Sequence, residues 1–143
     1  MQNKAIERNV IAAGALVASS TTTSAIHTNT WGKGIRFYVT VASGANSGGL
    51  ESLSLCALPP AAVEASANVV PLFGFSGAGL LTGVTGTCCF DFYPGNWMPA
   101  GGVVPGGALL GAAGICLPLK WAVRIVLPAG SSGTFTVDAE ILP

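Results

Sequence analysis

The chain has 143 residues, half of them hydrophobic and only 8% charged, with a formal net charge of zero. Soluble domains carry about 25% charged residues, so a small domain of this composition leaves apolar or small neutral surface exposed, and contiguous surface of that kind marks contact with a partner. The six basic residues (Lys4, Arg8, Lys33, Arg36, Lys120, Arg124) form no run, which argues against a nucleic-acid partner, and no stretch approaches the roughly 20 consecutive apolar residues of a membrane-spanning helix.

At the N-terminus, Lys4 and Arg8 precede an apolar run, Val10-Ile-Ala-Ala-Gly-Ala-Leu-Val-Ala18, a pattern that superficially matches a secretory signal. Glu7 inside the would-be positive region argues against that reading. Residues 1–30 are expected instead as an N-terminal arm. Within it, residues 1–12 are a short helix or an extended piece, too short to be stable alone. Residues 14–30, rich in Ala, Ser and Thr, read as a polar edge strand or an arm laid on something else.

Clear period-two alternation begins at Gly34: Ile35, Phe37, Val39 and Val41 share one face, and Arg36, Tyr38 and Thr40 the other. Ser43-Gly-Ala-Asn-Ser-Gly-Gly49 is a turn. Leu53, Leu55 and Ala57 then alternate with Ser52, Ser54 and Cys56 until Pro59-Pro60 ends the strand, and residues 61–68 form a loop or short helical turn. Residues 69–75 read as a short strand that Pro71 and Gly74 suit to a sheet edge. Residues 87–93 alternate again, Cys88, Phe90 and Phe92 against Cys89, Asp91 and Tyr93, and stop at Pro94-Gly-Asn96. Residues 98–118 are broken by Pro99, Gly101-Gly102 and Pro105-Gly106-Gly107 and read as a long loop with room for one short strand.

The two most regular strands come last. Trp121, Val123, Ile125 and Leu127 face away from Lys120 and Arg124; Phe135, Val137, Ala139 and Ile141 oppose Thr134, Thr136, Asp138 and Glu140. Residues 128–133 are expected to join them as a hairpin, with Arg124 facing Asp138 or Glu140. The whole pattern predicts an all-β chain, an antiparallel β-sandwich or jelly-roll-like barrel of about 6–8 short strands over residues 31–143, preceded by the arm.

Chemistry finds little support in these residues. Cys56, Cys88, Cys89 and Cys116 have no zinc-site spacing, and adjacent Cys88 and Cys89 would point to opposite faces of a strand. They read as small buried hydrophobes in a reducing compartment. A catalytic triad would need His27, the single histidine, which reads as a surface residue. Asp138 and Glu140 share a strand face at ~7 Å, a spacing that solubilising charges on an edge hairpin also give. The Gly-rich run Gly74-Phe-Ser-Gly-Ala-Gly79 lacks the Lys and Ser/Thr of a phosphate loop. No enzyme, cofactor or metal is therefore expected. Trp31, Tyr93 and Trp97 sit at strand ends or in loops, where a sugar-stacking platform or a subunit anchor is conceivable; Trp121 alternates with core positions.

The order of these segments resembles one family. Gly34-Ile-Arg-Phe-Tyr-Val-Thr-Val-Ala-Ser-Gly44 is similar to the opening strand, Phe92-Tyr-Pro-Gly95 to the "V-Y-P-G" turn, Leu117-Pro-Leu-Lys-Trp121 running into Arg124-Ile-Val126 to the "L-P-R-x-W-R-V-x-V" strand, and Gly133-Thr-Phe-Thr-Val-Asp-Ala139 to the closing strand of small tailed-phage virion proteins. The resemblance covers about residues 20–142 and departs from the family at Lys120, where Arg is usual, and in the longer apolar stretch 98–115. It implies a capsid cement or head-decoration protein on the virion surface, present in the host cytoplasm during assembly. Its partner would be the major capsid protein, and a closed homo-oligomer such as a trimer is expected. The alternatives are a minor tail or fibre component, or a carbohydrate- or receptor-binding sandwich on the virion. The contact residues expected are Ile11, Leu16 and Val17 in the arm, and Trp97, Met98, Val103, Val104, Leu109 and Leu110 in the long apolar stretch.

Overall fold

A computed structural model of the chain describes residues 6–16, 21–41, 50–80, 86–92, 108–111, 117–127 and 133–143. Among them the fold is all-β and antiparallel, in two sheets. The strands are β1 (Ile6–Leu16), β2 (Thr21–Thr23), β3 (His27–Thr28), β4 (Gly34–Val41), β5 (Leu50–Ala57), β6 (Val70–Leu80), β7 (Gly86–Phe92), β8 (Ala108–Gly111), β9 (Lys120–Val126) and β10 (Gly133–Leu142). One sheet runs β1-β10-β4-β7; the other runs β2-β9-β5-β6-β8, with β3 also on β9.

The expected sandwich is what forms, because the alternating strands bury one face each against the other sheet. Ile35, Phe37, Val39 and Val41 on β4 and Phe135, Val137, Ala139 and Ile141 on β10 meet Leu53 and Leu55 on β5 and Trp121, Val123 and Ile125 on β9 in one core. Trp121 and Phe37 touch across the gap, ring centroids 6.0 Å apart and planes at 60°, a tilted contact that aromatic pairs favour. Each such side chain contributes about 1.5–3 kcal/mol through burial.

A second, smaller core lies on the opposite face of the β5/β9 sheet. Cys56 and Ala122 are buried there with Val69, beside partly buried Ile26 and Leu58. The cover is the chain between β5 and β6, which carries a 3-10 turn at Ser66–Asn68. Ser66 Oγ donates to the Ser24 carbonyl at 3.0 Å, and Arg124 donates to the Val69 carbonyl at 3.2 Å. This explains why Cys56, on the nominally polar side of its strand, is buried: the connection folds back over it.

Expectations about strand pairing are corrected. β9 and β10 are not a hairpin: β9 pairs with β2, β3 and β5, and β10 with β1 and β4, so the chain crosses from one sheet to the other. Glu140 accordingly stands opposite Arg36, and Arg124 hydrogen-bonds Thr23 Oγ1 at 3.1 Å. The described residues of the arm join the sheets, β1 pairing with β10, and β2 and β3 with β9. The Ala- and Gly-rich composition of β1 hides its alternation, whereas the edge-strand reading of residues 14–30 holds for β2 and β3. β6 is an interior strand between β5 and β8. Pro71 is tolerated because it sits at a register irregularity on β5, and β8 reaches only from Phe73 to Ser76. The described residues hold ten strands: β1 to β3 join the sheets, and β8 forms within the long apolar stretch, where room for one short strand was expected.

Candidate functional site

The end of the second sheet where β5 finishes and β9 begins carries an apolar groove of about 570 Å3. Its walls are Ala57, Leu58, Pro59, Pro60, Ala62 and Val70 on one side and Pro118, Leu119 and Lys120 on the other, with Glu64 at the rim. The local sequence builds it rigidly. Proline fixes φ at Pro59, Pro60 and Pro118. Leu58 N–H donates to the Lys120 carbonyl at 3.1 Å, Asn29 N–H to the Leu119 carbonyl at 2.7 Å, and Ala62 N–H to the Pro59 carbonyl at 3.0 Å. Asn68 Nδ2 donates to the Val63 carbonyl at 2.9 Å.

The groove is unusual for what it leaves in water. Of its walls, Leu119 is 63% and Val70 49% exposed, and Val63, between the lining residues Ala62 and Glu64, is 78% exposed. The Lys120–Glu64 ion pair crosses the rim, and an exposed pair of this kind contributes only about 0–1 kcal/mol. Its value lies in neutralising the rim's two charges, so the patch presents carbon and a balanced ion pair. Such a surface can bind a complementary apolar surface, and its stiffness limits the ordering entropy lost on docking.

The outer face of the first sheet is its polar counterpart. Thr40 and Thr87 hydroxyls lie 2.9 Å apart, and Tyr38 OH donates to Glu140 Oε2 at 2.8 Å. That bond, then burial, push the Tyr38 phenol above its ordinary value, against a smaller opposing pull from Arg36. Because the bond needs the neutral phenol, the folded chain holds this proton more tightly than the unfolded chain. Its contribution to stability is complete below about pH 10 and is lost as pH rises through the folded value. Urea midpoints of the parent are therefore expected to fall more steeply above about pH 10 than those of Tyr38→Phe; parallel pH curves would refute the linkage.

The expected contact residues fare unevenly. Ile11 and Leu16 lie in β1, opposite Val137 and Gly133 of β10. Leu109 and Leu110 lie in β8, opposite Phe75 and Gly74 of β6. Val17, Trp97, Met98, Val103 and Val104 lie outside the described residues, as do Tyr93 and Cys116. The groove itself was missed. Its signal was present in Pro59-Pro60 and in Leu117-Pro-Leu119, but the first read only as a strand stop and the second only as part of a strand motif.

His27 is not the surface histidine expected. Its ring stacks on Trp121 with centroids 4.7 Å apart and planes at 29°, and its Nε2 is buried. It does not line the groove. Trp31 is 38% exposed at a turn where Asn29 Oδ1 accepts from Gly32 N–H at 2.8 Å and Asn29 Nδ2 donates to the Gly32 carbonyl at 3.0 Å. Cys56, Cys88 and Cys89 stand as thiols, and burial pushes the Cys56 and Cys88 thiols up. That shift disfavours the reactive thiolate. No group of three or more His, Cys, Asp or Glu that could hold a metal ion occurs among the described residues, and none of their helices is long and apolar enough to cross a membrane. No protein-family model, no curated protein and no solved structure matches the chain.

Proposed function

We propose that the chain is a structural virion protein, a capsid cement or decoration module that seats on an assembled phage head and stabilises it by bridging shell subunits. The observation that carries this reading is the stiff apolar groove, with its wall residues Val70 and Leu119 in water and exposed Val63 beside it, on a chain only 8% charged. The motif resemblance of residues 20–142 to small tailed-phage virion proteins supplies the partner, the major capsid protein. The mechanism is mass action: a ligand that binds the assembled state alone stabilises that state in proportion to RT ln(1 + [L]/Kd). No catalytic step is involved.

Deleting the N-terminal residues would be a poor test, because β1, β2 and β3 are strands of the sheets. Val63→Glu combined with Leu119→Glu is the better probe, since both side chains are largely in water and outside the core. The double variant is expected to keep the parent's thermal midpoint while its co-sedimentation with purified phage heads falls at least about tenfold, as two carboxylates lose hydration in an apolar contact. A parent chain that does not co-sediment with heads would refute the cement reading. Binding unaffected by the double substitution would remove the groove from it.

A further inference from the structure

Each sheet has two edges, and an edge strand with unpaired N–H and C=O groups is a template for another strand unless something blunts it. Three of the four edges here are blunted. β1 follows β10 with register irregularities between Glu7 and Ile11 and between Ile11 and Gly14. The β2/β3 edge is split into strands of three and two residues, with Ser24 in the break, its N–H donating to the Val123 carbonyl at 2.9 Å and its Oγ accepting from Val123 N–H at 3.0 Å. β8 has four residues. β7 has none of these devices. Its seven residues pair with β4 in unbroken register from Gly86 opposite Val41 to Phe92 opposite Ile35, and they include no proline, lysine or arginine. Among the described residues no strand covers its other side.

We propose that β7 pairs antiparallel with β7 of a second copy of this chain about a two-fold axis at Cys89, joining the two four-stranded sheets into one continuous sheet. The occupant is argued from the strand itself. Two identical strands running from Gly86 to Phe92 satisfy the most backbone groups when their midpoints coincide, which sets Cys89 opposite the second copy's Cys89. That register sets Cys88, which packs on the core, at the position opposite Phe90, apolar against apolar. It sets Thr87 opposite Asp91, the one charged residue of the strand, so no like charges face each other. A two-fold contact of this kind is isologous and closes on itself, building a dimer where a closed oligomer such as a trimer was expected. It stands independently of whether the chain seats on a phage head.

The test is sedimentation equilibrium of the full chain in reductant, so that no disulfide between copies contributes. The parent is expected to form a reversible dimer. Thr87 is exposed, so its variants leave the core untouched: Thr87→Asp sets two like-charge pairs across the axis and is expected to weaken the dimer about fivefold, while Thr87→Lys sets two opposite-charge pairs and is expected to tighten it by a similar factor. Cys89→Lys and Cys89→Glu are each expected to dimerise less well than the parent, and an equimolar mixture is expected to recover dimer, because unlike charges then meet on the axis. Cys89→Ser is expected to dimerise like the parent. A parent that stays monomeric at every concentration would overturn the proposal. So would Thr87→Asp and Thr87→Lys shifting dimerisation in the same direction, or charged Cys89 variants that do not recover on mixing.

Discussion

Trp121→Ala is expected to be among the most damaging single substitutions in the chain, lowering stability by about 3–5 kcal/mol. The side chain has no solvent exposure and is the largest of those fully buried. It stands on β9, in the middle of the second sheet, and reaches Phe37 on β4 of the first, so it spans the space between the layers. It also supports His27 of β3, whose ring is stacked upon it. Truncation would open a cavity that rigid β4 and β9 backbones cannot collapse into, and His27 would lose its platform at the same time. Against the 5–15 kcal/mol net stability of an ordinary domain, such a loss leaves the native state marginal or unfolded. Trp121→Phe is expected to cost much less than Trp121→Ala. It keeps an aromatic ring in the cavity and deletes Nε1, a buried donor with no hydrogen-bond partner among the described residues. Urea unfolding of the two variants measures both values, and equal losses would show that ring volume is not what the site requires.

The contrast between β9 and β1 shows how much of this fold is legible in the residues. Where a strand alternates large apolar and polar side chains, as in β4, β9 and β10, the core face follows directly: Ile35, Phe37, Val39, Trp121, Val123, Ile125, Phe135 and Val137 are all in the central core. Partnership does not follow. Two neighbouring amphipathic strands can bury their apolar faces side by side in one sheet or face to face across a sandwich, and alternation is the same in both cases. That degeneracy is why β9 and β10 read as a hairpin yet sit in opposite sheets. β1 fails for another reason: in Ala- and Gly-rich sequence neither face has enough side chain to mark it as inward. The groove was not legible from periodicity, because its main walls are two segments about sixty residues apart in sequence, 57–62 and 118–120, brought together by the pairing of β5 with β9. Sequence periodicity reports which face of a strand is apolar; it carries no information on which loop ends meet.

Gly74→Ala is the second substitution expected to have a large effect, about 3 kcal/mol or more, and its cause is the opposite of a cavity. Gly74 sits on β6 directly opposite Ser54 of β5. A methyl group there would overlap the Leu53 carbonyl oxygen and stand 2.6 Å from Ser54 Cα and 3.0 Å from the Leu53 carbonyl carbon. All three atoms are backbone, so no rotamer change relieves the clash. β5 cannot retreat either, because Leu53 and Leu55 on both sides of Ser54 are fully buried in the core and β9 holds its other edge. β6 must therefore move away, and β8, which pairs only with β6 in this sheet, must move with it. Gly32 makes an instructive comparison. A methyl group there would chiefly overlap Ile141 Cγ2, the end of a side chain, with Asn29 Oδ1 at 3.0 Å and the Leu142 carbonyl at 3.1 Å; a side-chain tip can turn, so Gly32→Ala is expected to cost less. Amide hydrogen exchange distinguishes the two: in Gly74→Ala, protection is expected to fall across β6 and β8 and persist in β4 and β10. Parent-like stability together with parent-like protection in Gly74→Ala would mean that Gly74 does not lie against Ser54, and that β6 pairs with β5 in another register.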